Sequence, residues 1–319
     1  MATPAGAFDT VESVGDREDL SDVIYNIAPT ETPFMMLAGR GRARQIKTEW
    51  QTDDLATAST TNAKIEGEDA SFARPDATVR VGNYTHIADK TVQVTGTQDA
   101  INKAGRRSEL AYQIAKRGKE LKRDLEAQMT ANQASVAGNR TTARVSGSLR
   151  AWLATNDDLG GGAAASGGYN SGTGVVDAAT NGTQRPFLES DLKSVIANCW
   201  DSGGDPTIIM VGKHNKQVAS GFTGHSTRYD RGEDKRLVAA IDVYVSDFGE
   251  HRLVPNRFQP ERNAYVLTPR LWQVGYLRGF RQHPIAKTGD SEKRQLLVEY
   301  TLKSLNEAGS GVVADLTVT

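Results

Sequence analysis

The chain has 319 residues with 38 basic and 39 acidic side chains, a net charge of −1, which argues against a generic nucleic-acid binder: any contact with nucleic acid has to be local and weak. A hydrophobic fraction of 38%, an aromatic fraction of 7% and a mean hydropathy of −0.48 point to much surface, loop or partner-covered arm around a modest interior. The single cysteine, Cys199, excludes an internal disulfide and fits a reducing compartment, and neither a signal-peptide-like start nor an apolar run of about 18 residues supports secretion or membrane spanning.

Residues 1–22 read as an arm, with Asp9, Glu12, Asp16, Glu18, Asp19 and Asp22 opposed only by Arg17, so the segment has little to bury alone. A short helical turn around Val23, Ile24 and Ile27 is expected before Pro29. Pro33 then takes a first helical position ahead of Phe34, Met35, Met36 and Leu37, an apolar anchor that Gly39 and Gly41 are expected to break. Extended structure follows to about Gln98, with 78–81 and 91–95 as the clearest strands. Between them, 53–76 is polar and short in side chain, a projecting loop rather than core; such an excursion usually reaches a partner.

The stretch from Ser108 to about Ala134 is predicted as one long helix. Leu110, Ile114, Leu121, Leu125 and Met129 share a face, Ser108 caps it, and no proline interrupts roughly 26 residues, giving a rod of about 40 Å. Its other face carries Lys116, Arg117, Lys119, Glu120, Lys122, Arg123, Asp124 and Glu126. Pairs at i,i+4, Lys116 with Glu120 and Lys122 with Glu126, would make that face a solvated lattice of charge. The alternative is a spine lying over something anionic.

Next comes a short ordered segment around Val145, Leu149 and Trp152, then a glycine-rich tract, 160–182, expected to be a flexible loop. Leu188, Leu192, Val195, Ile196 and Cys199 trace an amphipathic helix, 207–212 a buried strand and 213–222 a further helix. Ile241, Val243 and Val245 alternate in a strand that turns at Gly249-Glu250 into 251–255, a hairpin. Strands are expected at 263–268, 271–277 and 295–305, and 311–318 is apolar enough to complete a sheet. The fold class is α+β, a mixed core with a long spine helix.

Motifs for catalysis are missing. Gly39-Arg40-Gly41-Arg42-Ala43-Arg44 lacks the third glycine of a dinucleotide loop, and the glycine tract lacks the lysine of a phosphate loop. His214 and His225, with Asp230 or Glu233, follow no metal-ligand spacing; Cys199 has neither a thiol partner nor a nucleophile's turn around it. No catalytic, cofactor-binding or metal residue is assigned, and no cofactor is expected.

Three strings carry more specific information: residues 19–34 (Asp19-Leu20-Ser21-Asp22 through Thr32-Pro33-Phe34), 49–55 (Glu49-Trp50-Gln51-Thr52-Asp53-Asp54-Leu55) and 66–70 (Glu66-Gly67-Glu68-Asp69-Ala70). They resemble the opening of the major capsid, or major head, proteins of tailed double-stranded DNA bacteriophages. The resemblance extends to 213–222, to the 243–255 hairpin and to the close at 294–314, and the glycine tract looks like a variable insertion. It implies the shell fold of that family: an N-terminal arm (1–40), an extended loop and its base (41–98), a peripheral domain with the spine helix and the insertion (99–185), a mainly axial domain (186–284) and a return to the periphery (285–319).

The implied function is structural. Many copies would assemble as hexamers and pentamers into an icosahedral virion head in the host cytoplasm, with a portal and with scaffolding or decoration proteins as further partners, and with packaged double-stranded DNA inside. No membrane is involved. Lys116, Lys119, Lys122 and Arg123 are then expected on the interior surface, touching DNA weakly and without reading its sequence. Some capsid relatives join subunits through a lysine and an asparagine, but no motif carries that chemistry to a residue here. The competing readings are the shell of a bacterial nanocompartment with the same fold and a soluble oligomeric enzyme with a long lid. Particle size separates the enzyme from either shell.

Overall fold

A computed structural model of the chain describes residues 31–222 and 243–318 except 71, 73, 76, 103, 104 and 106. The acidic arm, the turn at 22–28, Ile241, His225, Asp230 and Glu233 lie outside the described residues.

The first elements are helix α1 (Pro33–Leu37) and strands β1 (Gly39–Arg42), β2 (Lys47–Thr52), β3 (Val79–Tyr84) and β4 (His86–Thr95). The apolar run of α1 ends at Leu37, ahead of Gly39 as expected, and Gly39 and Gly41 enter a strand. They pair in parallel with a later strand at Gln273 and Gly275, and a Cβ on Gly41 would lie 3.0 Å from the end of the Gln273 side chain, a tight approach. The described residues of 53–78 form neither helix nor strand and are exposed, which is the expected projecting loop on a β2–β3 base.

Helices α2 (Gly96–Ala100), α3 (Glu109–Thr130) and α4 (Leu149–Trp152) follow, then β5 (Asp157–Asp158), β6 (Gly168–Asn170), β7 (Val175–Asp177) and α5 (Glu189–Asp201). The spine α3 begins where expected, with the Ser108 hydroxyl accepting from Ala111 N, but it stops at Thr130 rather than Ala134. Its 22 residues make a rod of about 33 Å.

The glycine tract is not the loose loop its composition implies. β6 and β7 pair as a hairpin, Val176 is fully buried, and Tyr169 stacks on Trp152 at 6.1 Å, with Trp50 packed against the same indole at 5.5 Å. The hairpin docks because Gly147 leaves room: a Cβ there would lie 2.9 Å from the Cβ of Val176. Two aromatic rings and a valine offset the backbone entropy of the glycines.

The last third holds β8 (Ile208–Val211), α6 (Lys213–Ala219), β9 (Val243–Ser246), β10 (Gly249–Pro255), β11 (Ala264–Leu267), β12 (Trp272–Ile285), β13 (Ser291–Ser304) and β14 (Gly311–Val313). The hairpin turn falls at Asp247-Phe248, two residues before the expected Gly249-Glu250. The buried face of β9 is also the opposite one: Tyr244 is inside, and Val243 is 41% exposed.

Two main sheets result. One has four strands in the order β1-β12-β13-β4, the other six in the order β5-β14-β11-β8-β10-β9. Alternation along β8 and β11 divides the interior. Ile208, Met210, Tyr265 and Leu267 face Leu121, Leu125 and Met129 of the spine and Trp272, Val298 and Tyr300 of the four-stranded sheet. Ile209, Val211, Ala264 and Val266 face Leu192, Val195, Ile196 and Cys199 of α5. A sheet covered on both faces reads in sequence as a continuous apolar run, as at Ile208–Val211. The apolar end, 311–313, completes this sheet between β5 and β11 as expected.

Candidate assembly and genome-facing surfaces

The spine has a buried half and an exposed half. Toward its C-terminus Leu121, Leu125 and Met129 are buried between the two sheets; toward its N-terminus Leu110 and Ile114 are only half-covered. Lys116, Lys119 and Lys122 are exposed, and none makes an ion pair among the described residues. Because they recur at three-residue steps, they wind round the helix by about 60° each and form a broad rather than narrow basic stripe. Arg123 does not extend that stripe freely: it is half-buried, its guanidinium 5.3 Å from the ring centroid of Phe258.

The expected i,i+4 pairs do not form. Glu120 takes Arg117 at 2.7 Å instead of Lys116, and Asp124 reaches across to Lys90 of β4 at 2.6 Å. Glu126, assigned from sequence to the solvated face as a partner of Lys122, is fully buried. Its carboxylate accepts from Phe34 N at 2.7 Å, Met35 N at 2.9 Å and Asn256 Nδ2 at 2.7 Å. The chain had a local candidate for the first two donors, since Thr32 sits at the N-cap of α1, but the Thr32 side chain makes no capping bond. A carboxylate 92 residues away takes its place. Burial pushes the Glu126 carboxyl above its ordinary range, against the opposing pull of the two amides and Asn256. The outcome is a three-way tie between the base of the arm, the spine and the segment after β10.

The same device recurs. Glu261 accepts from Lys213 N and His214 N, both at 3.1 Å, and so caps α6, which has no side-chain cap of its own. Sequence spacing shows neither cap, because both partners are remote. The one local signal at Glu126 is its place beside Leu125, against the edge of the apolar stripe. A further unforeseen group is Glu299, nearly buried on β13, which holds Arg144, Arg278 (2.7 Å) and Thr85 Oγ1 (3.0 Å) and so locks β12 and β13 to the segment after the spine.

No catalytic arrangement stands beside these contacts. Among the described residues there is no group of three or more His, Cys, Asp and Glu placed to hold a metal, and no helix long and apolar enough to cross a membrane. Cys199 lies inside α5 with its thiol pushed up to about 12, first by burial and then by the charge of Glu307, so it is no nucleophile.

Unsatisfied surface is instead concentrated in the extended loop. Leu55, Ile65 and Phe72 are 98%, 80% and 95% exposed, and Trp200 packs on Phe248 at the outer end of the six-stranded sheet. The described residues form a two-sheet α+β body with a long spine and a projecting loop that carries exposed apolar side chains.

Comparison with known proteins gives the family. The family description "SU10 major capsid protein" matches residues 3–317, and the chain belongs to that family. The curated major capsid protein of Escherichia phage Phieco32 is 28% identical over 345 residues, covering 98% of this chain and 97% of that protein. Among solved structures, a chain of the cyanophage A-1(L) capsid superposes with a TM-score of 0.63 at 14% identity, over 97% of this chain and 99% of that one. The capsid of a native GTA particle gives 0.58 at 11% identity, over 95% and 96%. A structure of phage G gp27 major capsid proteins with gp26 decoration proteins gives 0.55 at 8%, over 99% and 100%. At such identities the structural matches speak for the fold. The fold is therefore the tailed-phage capsid shell fold, and the protein is a structural component of the virion shell, not an enzyme.

Proposed function

We propose that the chain builds its shell as hexamers and pentamers, with residues 1–40 as an arm, 41–98 as an extended loop and its base, 99–185 as a peripheral domain, 186–284 as a mainly axial domain and 285–319 returning to the periphery. The observation that carries the reading is the loop at 53–78: a family of shell proteins supplies the purpose, and the fully exposed Leu55 and Phe72 supply the need for a neighbour. Assembly takes place in the host cytoplasm, with a portal at one vertex and with scaffolding or decoration proteins as further partners.

The basic stripe of Lys116, Lys119 and Lys122, flanked by Arg123, faces packaged double-stranded DNA. Three exposed lysines without carboxylate partners among the described residues leave positive charge free on a chain of net charge −1, and a helix that also bears Glu120 and Asp124 binds phosphate weakly, without reading sequence. Deleting residues 1–22 or shortening 53–76 is expected to leave a soluble, folded chain that no longer closes shells, read by circular dichroism and sedimentation. Normal closed particles from both variants would overturn the assignment of arm and loop. Charge reversal at Lys119 and Lys122 is expected to alter packaged DNA length and particle yield; unchanged values of both would remove the DNA-facing role.

A further inference from the structure

The loop at 53–78 grows from a base that neither main sheet holds: among the described residues β2 and β3 pair only with each other. At the body end of that base Asn83 is fixed through both atoms of its side-chain amide. Its Nδ2 donates to Ser146 Oγ at 3.1 Å, Gly147 O at 3.0 Å and Leu302 O at 2.7 Å, and its Oδ1 accepts from Gly147 N at 2.8 Å. Two residues nearer the loop the hold changes in kind. Trp50, opposite Val81 in the pair, lies against Trp152 of α4 with ring centroids 5.5 Å apart, and both indole N–H groups are buried without a hydrogen-bond partner among the described residues. This contact is packing alone. The β6–β7 hairpin of the glycine tract backs it: Tyr169 stacks on Trp152 with 7° between the ring planes, β7 lies beside β3, and a Cβ on Gly174 would lie 2.8 Å from the Lys47 ammonium of β2. The hairpin is itself rooted behind the spine. Val176 N donates to Ser135 Oγ at 2.7 Å, Ser135 N to Val176 O at 2.8 Å and Asn132 Nδ2 to Ala179 O at 2.7 Å.

We propose that the hairpin of the glycine tract is a brace that sets the direction in which the loop leaves the body, with Tyr169 as its positioning residue. The importance of that direction rests on the shell reading; the brace goes further by giving the glycine tract a task. Leverage makes the contact consequential. Trp50 and Val81 stand about 7 Å beyond the pivot at Asn83, whereas the loop, doubled back, reaches roughly 40 Å from its base. A shift of about 1 Å at the brace therefore moves the tip by roughly 6 Å, more than the spacing between neighbouring strands. Contacts between copies do not survive such an error. Tyr169 acts on Trp50 through the Trp152 indole, fixing one ring so that the other has a constant surface to pack on. Gly174 acts directly. Its φ of +69° makes the turn, and its missing side chain leaves room for the Lys47 ammonium, which also lies 5.7 Å from the Tyr84 ring centroid and 3.1 Å from Glu49. A hydrogen-bonded pivot with a packed support beyond it is a hinge whose angle the support fixes.

The test places nitroxide labels on the full chain, in dissociated subunits, at Gln51→Cys of β2 and Thr91→Cys of β4, both exposed; Cys199 is buried and does not compete. The distance between the labels, measured by pulsed electron resonance, reads the direction of the base without the loop's own freedom. Tyr169→Ala is expected to broaden the distance distribution about twofold, while Tyr169→Phe, which keeps the ring, retains the native width. Native width in the alanine variant overturns the proposal, and so does a phenylalanine variant as broad as alanine. Trp50→Leu reaches the same contact from the loop side and leaves the hairpin whole; it is expected to broaden the distribution equally, and native width there also overturns the brace. Assembly supplies a second reading. Tyr169→Ala subunits that are folded by circular dichroism are expected to give particles of mixed diameter or open sheets, and Tyr169→Phe subunits native particles. Closed particles of native diameter from the alanine variant overturn the brace's part in assembly. Absence of particles from the native chain contradicts the shell reading itself, and the label distances in subunits then decide the brace on their own.

Discussion

Removing the carboxylate at position 126 tests how the base of the arm is held. Phe34 N and Asn256 Nδ2 share Oε1, and Met35 N takes Oε2. Glu126→Gln can keep the first two bonds and then sets its NH2 against the Met35 amide, a single orphaned buried donor costing about 1–3 kcal/mol. Glu126→Leu orphans three donors; relief of the buried charge offsets part of that, leaving a loss of about 3–5 kcal/mol. At tenfold per 1.4 kcal/mol, the Gln variant should speed amide exchange in α1 by roughly 5- to 150-fold, and the Leu variant by more. The pH dependence has a definite sign. Burial raises the carboxyl's pKa in the fold, so the folded chain holds this proton more tightly than the unfolded one. The site's contribution therefore falls as pH rises through the interval between the two values and is recovered on acidification. Native protein should gain on the Gln variant as pH drops through that interval. Exchange in 33–37 that is the same in native and Leu proteins would refute the three-way tie.

Three further outcomes are expected. Cys199, buried with its thiol pushed up to about 12, should resist alkylation at pH 8 until the chain is unfolded; rapid labelling of native protein would contradict the packing of α5. Gly147→Ala drives a methyl against Val176 and should cost about 1–3 kcal/mol, exposing 168–177 to protease before the rest of the chain; unaltered cleavage would show that the hairpin docks differently. Glu299→Gln deprives Arg144 and Arg278 of their common carboxylate, and since both arginines keep some access to water the loss should be about 1–3 kcal/mol, measured by denaturant unfolding.

The elements with local causes were legible in the sequence. The Ser108 cap, the apolar run 208–211 and the amphipathic spacing of α5 each depend on residues within a turn or two, and each stands where expected. What could not be read depends on partners far along the chain. Glu126 looks solvated until Phe34 and Asn256 are brought to it, and the glycine tract looks flexible until Trp152 and Gly147 provide a surface for it. The inverted face of β9 has the same origin: alternation predicts a two-sided strand but not which side meets α5, and the Tyr244 hydroxyl, donating to Glu189 at 3.1 Å, decides it. The basic stripe was legible as charge, but its composition was not, because the ring of Phe258 that takes Arg123 lies 135 residues away in sequence.

The most direct measurement is electron microscopy of the purified chain expressed alone and with its phage partners, followed by reconstruction of any particles. The account predicts closed icosahedral shells hundreds of ångströms across, with the loop at 53–78 of each subunit lying on a neighbour. A monodisperse small oligomer under all conditions, with that loop folded back on its own subunit, would contradict it.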